Sequence, residues 1–233
     1  MDRIGDFHHE DALAWPVDLP SEAEDVGAAS PDAGNAAADA NAICFCPGTR
    51  VLTLNGWRPV ECLRVGDRVL TRDSGAQRIR WIGRRAFAGT GPLAPVEVAR
   101  GVLGADRPVR LSPQHRLLLS GPHIAALTGE AEALCPALHL VDGARIRRRQ
   151  TPWVTYLHLM FDKHEVIWAD GLAAESFRLG PATAAAMTPA MRREFEALFP
   201  GQLARAARPG GRAPLARRSL GRDAAALVAA SAG

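Results

Sequence analysis

The stretch Cys44–Asp73, CFCPGTRVLTLNGWRPVECLRVGDRVLTRD, decides how the rest of the chain is read. Apolar and polar residues alternate in short runs such as RVLTL and RVLTR, and each run stops at a turn former. Such alternation places the apolar side chains on one face of a half-buried strand. Asn55-Gly56, between RVLTL and WRPV, tolerates the positive φ angles of a type I′ turn and so predicts a β-hairpin. Asp73-Ser74-Gly75 punctuates the next pair of runs in the same way. At the head of the stretch stand two thiols, Cys44 and Cys46, followed by a turn. Three chemistries are open to them: a metal pair, a disulfide, or a nucleophile.

Working outward, further strands are expected at 95–98, 108–111, 116–120, 153–159 and 165–168. Many short strands at regular spacing predict an all-β domain over 44–180. Past Gly180-Pro181 the pattern turns helical. Thr188 reads as an N-cap and Pro189 as the first helical residue, with Met191, Phe195 and Leu198 on one face before Pro200-Gly201. A C-terminal amphipathic helix within 181–200, packed on the β-domain, is the expectation.

The two ends differ in charge and in content. The net charge of +3 conceals an acidic leader, 1–43, in which Asp2, Asp6, Glu10, Asp11, Asp18, Glu22, Glu24, Asp25, Asp32 and Asp39 all precede Cys44. Residues 19–42 carry almost no large apolar side chains and cannot offset the entropy of ordering, which predicts a disordered linker. The Arg/Ala/Gly-rich segment 201–233 is read as a disordered tail.

Several function classes find no support. No window approaches the roughly 18 consecutive apolar residues of a spanning helix, so no membrane span is expected and the protein is read as soluble. The start, MDRIGDFHHEDALAWP, lacks the basic and apolar regions of a signal peptide, which points to cytoplasmic synthesis with a non-classical exit left open. There is no Gly-rich phosphate loop before a helix and no aromatic ladder for bases, so neither a cofactor nor a nucleic-acid partner is expected. The four cysteines, Cys44, Cys46, Cys62 and Cys135, are too few and too irregular for a disulfide framework. A lone Cys-x-Cys pair also lacks the spacing and second pair of a zinc site, so no metal is expected.

CFCPGTRVLTLNGWRPVECLRVGDRVLTRD, RLSPQHRLLLSG and YLHLMFDKHEVIWADGLAAESF together resemble the Hint module, the self-processing domain shared by hedgehog proteins and inteins, in its bacterial hedgehog/intein-like form. The resemblance covers about 44–180 and implies the family's β-rich horseshoe fold. It places Cys44 at the nucleophile position, with Phe45, Gly48 and Thr49 in register and Cys46 at a variable one. The family's Thr-x-x-His reads here as Ser112-Pro113-Gln114-His115. His158 falls where inteins carry an Asp, and His164 matches a later His. Inteins end in His-Asn, whose Asn cyclises; here Glu175-Ser176 stands in that region.

What the resemblance implies is an N-to-S acyl shift. The Cys44 thiol attacks the carbonyl of Ile43, giving a thioester and freeing the amide nitrogen, with His115 supplying the proton for that nitrogen and Ser112 the orienting hydroxyl. His158, Asp162 and His164 would form an acid-base cluster for the acceptor: water, a thiol, an amine or an alcohol. The partner is the chain's own N-terminal flank, cut in cis in a single turnover and without full splicing. Two other classes remain beside this reading: a degenerate Hint-fold scaffold that binds without cutting, and a metal site built on the cysteines. Cys46, Cys62 and Cys135 are read as structural.

Overall fold

Both turns singled out in the sequence close as hairpins. In the computed structural model of the chain, which describes residues 43–206 and 218–220, β1 (Arg50–Thr53) pairs with β2 (Gly56–Pro59) through Thr53 and Gly56. β3 (Arg68–Thr71) pairs with β4 (Gly75–Arg78) through Thr71 and Gly75. Only the glycines, at φ +87° and +64°, take the left-handed region, so Asn55-Gly56 is not the type I′ turn expected. The threonines explain the difference. Thr53 Oγ accepts from Asn55 N and donates to Gly56 O, and Thr71 Oγ does the same with Ser74 N and Gly75 O. A side chain thus closes each turn in place of a second left-handed residue.

The remaining strands are β5 (Trp81–Gly89), β6 (Val96–Val98), β7 (Val109–Leu111), β8 (Arg116–Ser120), β9 (Glu132–Pro136), β10 (Ile146–Arg148), β11 (Thr151–Met160), β12 (Val166–Ala169), β13 (Leu172–Glu175) and β14 (Arg218–Ser219). Nine form one sheet in the order β14-β9-β8-β13-β12-β1-β3-β4, with β2 on β1; β10-β6-β7 form a second and β5-β11 a long ribbon. The architecture is all-β with a few short helices and no closed barrel. β12 and β13 turn through Asp170 (φ +45°) and Gly171 (φ +87°), the two-residue turn with both residues left-handed. Asp170 is held there by Arg50, whose Nε lies 2.6 Å from Oδ1.

Phe45 joins the smaller sheets. It bridges Leu111 of β7 and Leu157 of β11, exchanging two 2.9 Å backbone bonds with the latter. Its side chain enters the main core with Val51, Val69, Leu111, Leu157 and Ile167. Its neighbours Cys44 and Cys46 turn the other way, into an apolar pocket made by Phe87, Val154 and Tyr156.

The C-terminal part carries more structure than composition suggests. The region 181–200 holds two helices, α2 (Pro181–Ala186) and α3 (Pro189–Leu198), after α1 (Pro122–Thr128) earlier in the chain. Thr188 caps α3, its Oγ accepting from Met191 N at 3.2 Å, and Pro189 opens it. Phe195 is buried, but Leu198 is half exposed and does not share the packed face. Within 201–233, read as a disordered tail, α4 (Gln202–Ala206) and β14 are formed, and Leu220 packs into the main core. Apolar contacts that the Arg-rich average conceals account for this. Cys62, read as structural, ends a short 3₁₀ turn, Val60–Cys62, and is exposed. The disorder expected for the leader lies outside the described residues, and among the described residues no helix is long and apolar enough to cross a membrane.

Candidate active site

The junction between Ile43 and Cys44 is buried, and each of its polar atoms has a partner. Cys44 N donates to Ser112 Oγ at 2.9 Å, while Ser112 N donates to Cys44 O at 3.0 Å. Ser112 follows β7 directly, and Phe45 is bridged to that strand, so the clamp is a consequence of strand pairing. The carbonyl of Ile43 accepts from His158 Nδ1 at 2.7 Å. Cys44 Sγ lies 3.4 Å from the same Nδ1 and 3.6 Å from Nε2. Nearly equal distances to the two nitrogens place the sulfur over the ring face, out of line with either nitrogen's hydrogen or lone pair, so the directed hydrogen bond of His158 is the one to Ile43.

That bond fixes the protonation of His158. A carbonyl only accepts, so Nδ1 carries the hydrogen. Burial pushes the pKa down to about 4, opposed by the Ile43 carbonyl and assisted by the charges of His115 and Arg85. Near neutrality the ring is therefore uncharged, with Nδ1–H on the carbonyl and the lone pair on Nε2. Trp81 stacks on it at 6.1 Å and 14°, and Phe177 meets it edge-on at 5.0 Å.

His115 stands on the next carbonyl. Its Nδ1 is 2.9 Å from Cys44 O and its Nε2 is 2.9 Å from Glu175 O. Two carbonyls facing two ring nitrogens are both satisfied only by the imidazolium. Burial lowers the pKa nonetheless, with the Glu175 charge and the two carbonyls pulling the other way. Phe45 packs edge-on against the ring at 4.4 Å. The hydroxyl of Ser112, rather than His115, is thus the group on the Cys44 nitrogen.

The expected cluster of His158, Asp162 and His164 is dispersed to three partners. Asp162 pairs with Arg80 at the surface, and His164 Nε2 lies 3.0 Å from Glu175 Oε2. Glu175, fully buried, also accepts from Arg116 N and Nη1 at 2.9 and 3.1 Å. Burial raises its pKa, but His164, Arg116 and His115 outweigh that and hold it below the usual carboxylate range. The carboxylate network therefore frames His115 and does not reach Ile43. Cys46 shares the thiol pocket, and burial pushes its pKa up to about 12 despite Arg110 nearby. Among the described residues no three His, Cys, Asp or Glu side chains are grouped to hold a metal.

Glu175 and Trp81 carry no signal of their own in the sequence. Glu175 sits in a region compared only for its missing Asn, and Trp81 falls in a run read simply as a strand.

A Hint domain family model matches residues 43–181, more than half of the chain, and the chain belongs to that family. The match begins at Ile43, the residue whose carbonyl His158 holds. Among solved structures, the chain is similar to an AceL NrdHF class 3 split intein, an inactive variant, at 17% identity over 58% of this chain and 97% of that one, with a TM-score of 0.38. It is also similar to a bacterial intein-like domain from Clostridium thermocellum, at 11% identity over 58% and 98% with a TM-score of 0.38. The MchDnaB-1 intein aligns at 16% identity over 57% and 99% with a TM-score of 0.36. No curated protein matches the chain.

Proposed function

We propose that the chain cuts itself at the Ile43–Cys44 bond through an N-to-S acyl shift, then releases or transfers its N-terminal flank without splicing. The observation that carries this is one imidazole, His158, in contact with both reacting groups: Nδ1 at 2.7 Å from the Ile43 oxygen and the Cys44 sulfur at 3.4 Å. Sγ adds to the Ile43 carbonyl carbon, and its proton passes to His158 Nε2. The oxygen gains negative charge opposite Nδ1–H, the role of an oxyanion-hole donor. The bond between that carbon and Cys44 N then breaks. His158 gives up the proton it took from the thiol to the departing nitrogen, which Ser112 Oγ holds in place, and returns to its neutral form. The products are a thioester on Cys44 and a free amine on the same residue. His115 fixes Cys44 through its other carbonyl.

An acceptor then takes the Ile43 acyl group from sulfur and restores the thiol. Water gives the free acid, and a small thiol gives a released thioester. Glu175 and Ser176, in the region where an intein carries its cyclising Asn, have no side-chain amide to close on the backbone, so the downstream flank stays attached.

Intact mass of freshly purified protein, before and after dithiothreitol, tests the proposal. A fragment beginning at Cys44, absent in Cys44→Ala, is the expected result. Full-length protein unchanged by thiol while the fold is intact would leave the scaffold reading in its place.

A further inference from the structure

His158 has to present Nδ1 to Ile43 and its ring face to Cys44 at once, which demands a fixed ring plane. Three observations show how the plane is set. Trp81 and Gly83 lie on the same face of β5, and Gly83 is paired in register with His158 on β11. The indole leans along the strand over Gly83: a Cβ there would stand 2.3 Å from Trp81 Cη2 and 2.9 Å from Cζ2 and Cζ3. In that pose it lies nearly parallel to the imidazole, 14° between planes, in the offset-stacking range. Glycine is required here by space alone, at a position opposite the reactive histidine.

The indole accepts a cost to lie there. Trp81 Nε1 is buried without a hydrogen-bond partner among the described residues, so its N–H gives up water without replacement. Packing supplies what hydrogen bonding does not. Phe195 of α3 meets the indole edge-on at 5.4 Å and 83°, and Phe177 lies against it at 5.4 Å. Met160, Leu179 and Met187 fill the same cluster. α3 lies beyond residue 181, where the family match ends, so the brace comes from outside the matched segment.

We infer that Trp81, laid across Gly83 and braced by Phe195, is a positioning residue for His158: it holds the imidazole plane that keeps Nδ1 on Ile43 O with the thiol beside the ring. This rests on the proposed acyl shift and extends its machinery into the C-terminal helices. The titratable and charged groups facing His158 are Cys44, His115 and Arg85.

The test is a suppressor pair with two readouts. Gly83→Ala adds the Cβ that the indole cannot accommodate, whereas Trp81→Phe removes the ring atoms it would strike. In the Cys44→Ala background, which keeps the junction intact, histidine NMR should show the ring protons of His158 displaced in Gly83→Ala and its pKa raised toward the ordinary value. With Cys44 present, thiol-induced cleavage should fall by roughly 10–100-fold, the scale of an ångström-sized misplacement. Trp81→Phe/Gly83→Ala should recover both readouts to the level of Trp81→Phe alone. A double variant no better than Gly83→Ala, or His158 shifts and rates unchanged in it, would overturn the inference. Should Gly83→Ala not fold, Trp81→Phe alone must still move the His158 shifts, and no movement overturns the inference equally. If wild-type protein does not cleave at all, the acyl shift fails as a reading while the NMR arm still decides whether Trp81 positions His158.

Discussion

Replacing His158 by alanine removes two contacts in one step, the 2.7 Å donor to Ile43 O and the ring against Cys44 Sγ. Losing a single oxyanion donor typically slows a reaction by about 10²–10³, or roughly 2.7–4 kcal/mol. Loss of the base adds to this, since positioned proton transfer contributes about 10²–10⁴, though groups acting as a unit do not multiply fully. The expectation is a fall of at least about 10³ in thioester formation. His158→Asn separates the two roles. Its side-chain nitrogen sits near the place of Nδ1 and still donates to the carbonyl, but it has no lone pair for the thiol, so its rate should fall between the other two. The assay is the appearance, by intact mass, of the fragment starting at Cys44 after addition of dithiothreitol, with circular dichroism as the check on folding. A folded His158→Ala that cleaves at the wild-type rate would refute the assignment, whatever the behaviour of Cys44.

Three further outcomes follow from the same geometry. Cys44→Ala should abolish cleavage and Cys46→Ala preserve most of it, because the Cys46 thiol, at about 12, stays protonated; mass spectrometry of the two variants shows the reverse if the register is wrong. Ser112→Ala should slow thioester formation by about 10² and also destabilise the fold by about 1–3 kcal/mol, since Cys44 N is left without its acceptor; Ser112→Thr should restore both, read by cleavage rate and urea midpoint. His158, lowered to about 4 in the fold, is protonated first in the unfolded chain as pH drops below about 6.5. Stability should therefore fall between about pH 6.5 and 4 by on the order of 3 kcal/mol, and His115 and Glu175, both lowered, act in the same direction. Urea midpoints that stay level across this window would contradict a neutral buried His158.

Alternation and turn residues made the strands legible, and their limits are physical. Asn55-Gly56 and Asp170-Gly171 are the same kind of signal, yet the first turn is closed by Thr53 Oγ and the second alone takes both left-handed angles. Ser112 and Cys44 are 68 residues apart, and only the family resemblance named them together; in the fold the end of β7 sets the hydroxyl 2.9 Å from Cys44 N. Adjacency along the chain misled for His158, Asp162 and His164, which are close in sequence but leave the end of β11 toward three separate partners. What decides His158 is the pairing of β5 with β11 and the bridge from Phe45 to Leu157, contacts more than a hundred residues apart in the second case. No local pattern encodes them. Glu175 was unreadable for a related reason: its importance lies in its backbone oxygen as much as its carboxylate, and a carbonyl has no letter in a sequence.

The downstream side of the site is built to hold, and this sets the outcome of any fusion beyond Gly233. Glu175 is tied by its carboxylate to Arg116 and His164 and by its carbonyl to His115. Ser176 N donates to Glu165 O at 2.8 Å and its Oγ accepts from Glu165 N at 2.9 Å, while Phe177 N donates to Leu159 O at 2.7 Å. The chain then continues into α2 and α3, whose Phe195 packs on Trp81 behind His158. A segment that leaves during splicing has to detach from the site, whereas this one packs against the residues around His158. Cleavage upstream with no ligation is therefore expected for a fusion carrying reporters on both ends. The measurement is the mass of every product after thiol treatment: a released leader and a fragment running from Cys44 through the downstream reporter. A product in which the two reporters are joined by a peptide bond would show that the downstream segment does leave, and with it the reading of Glu175 and Ser176 as fixed structure would fall.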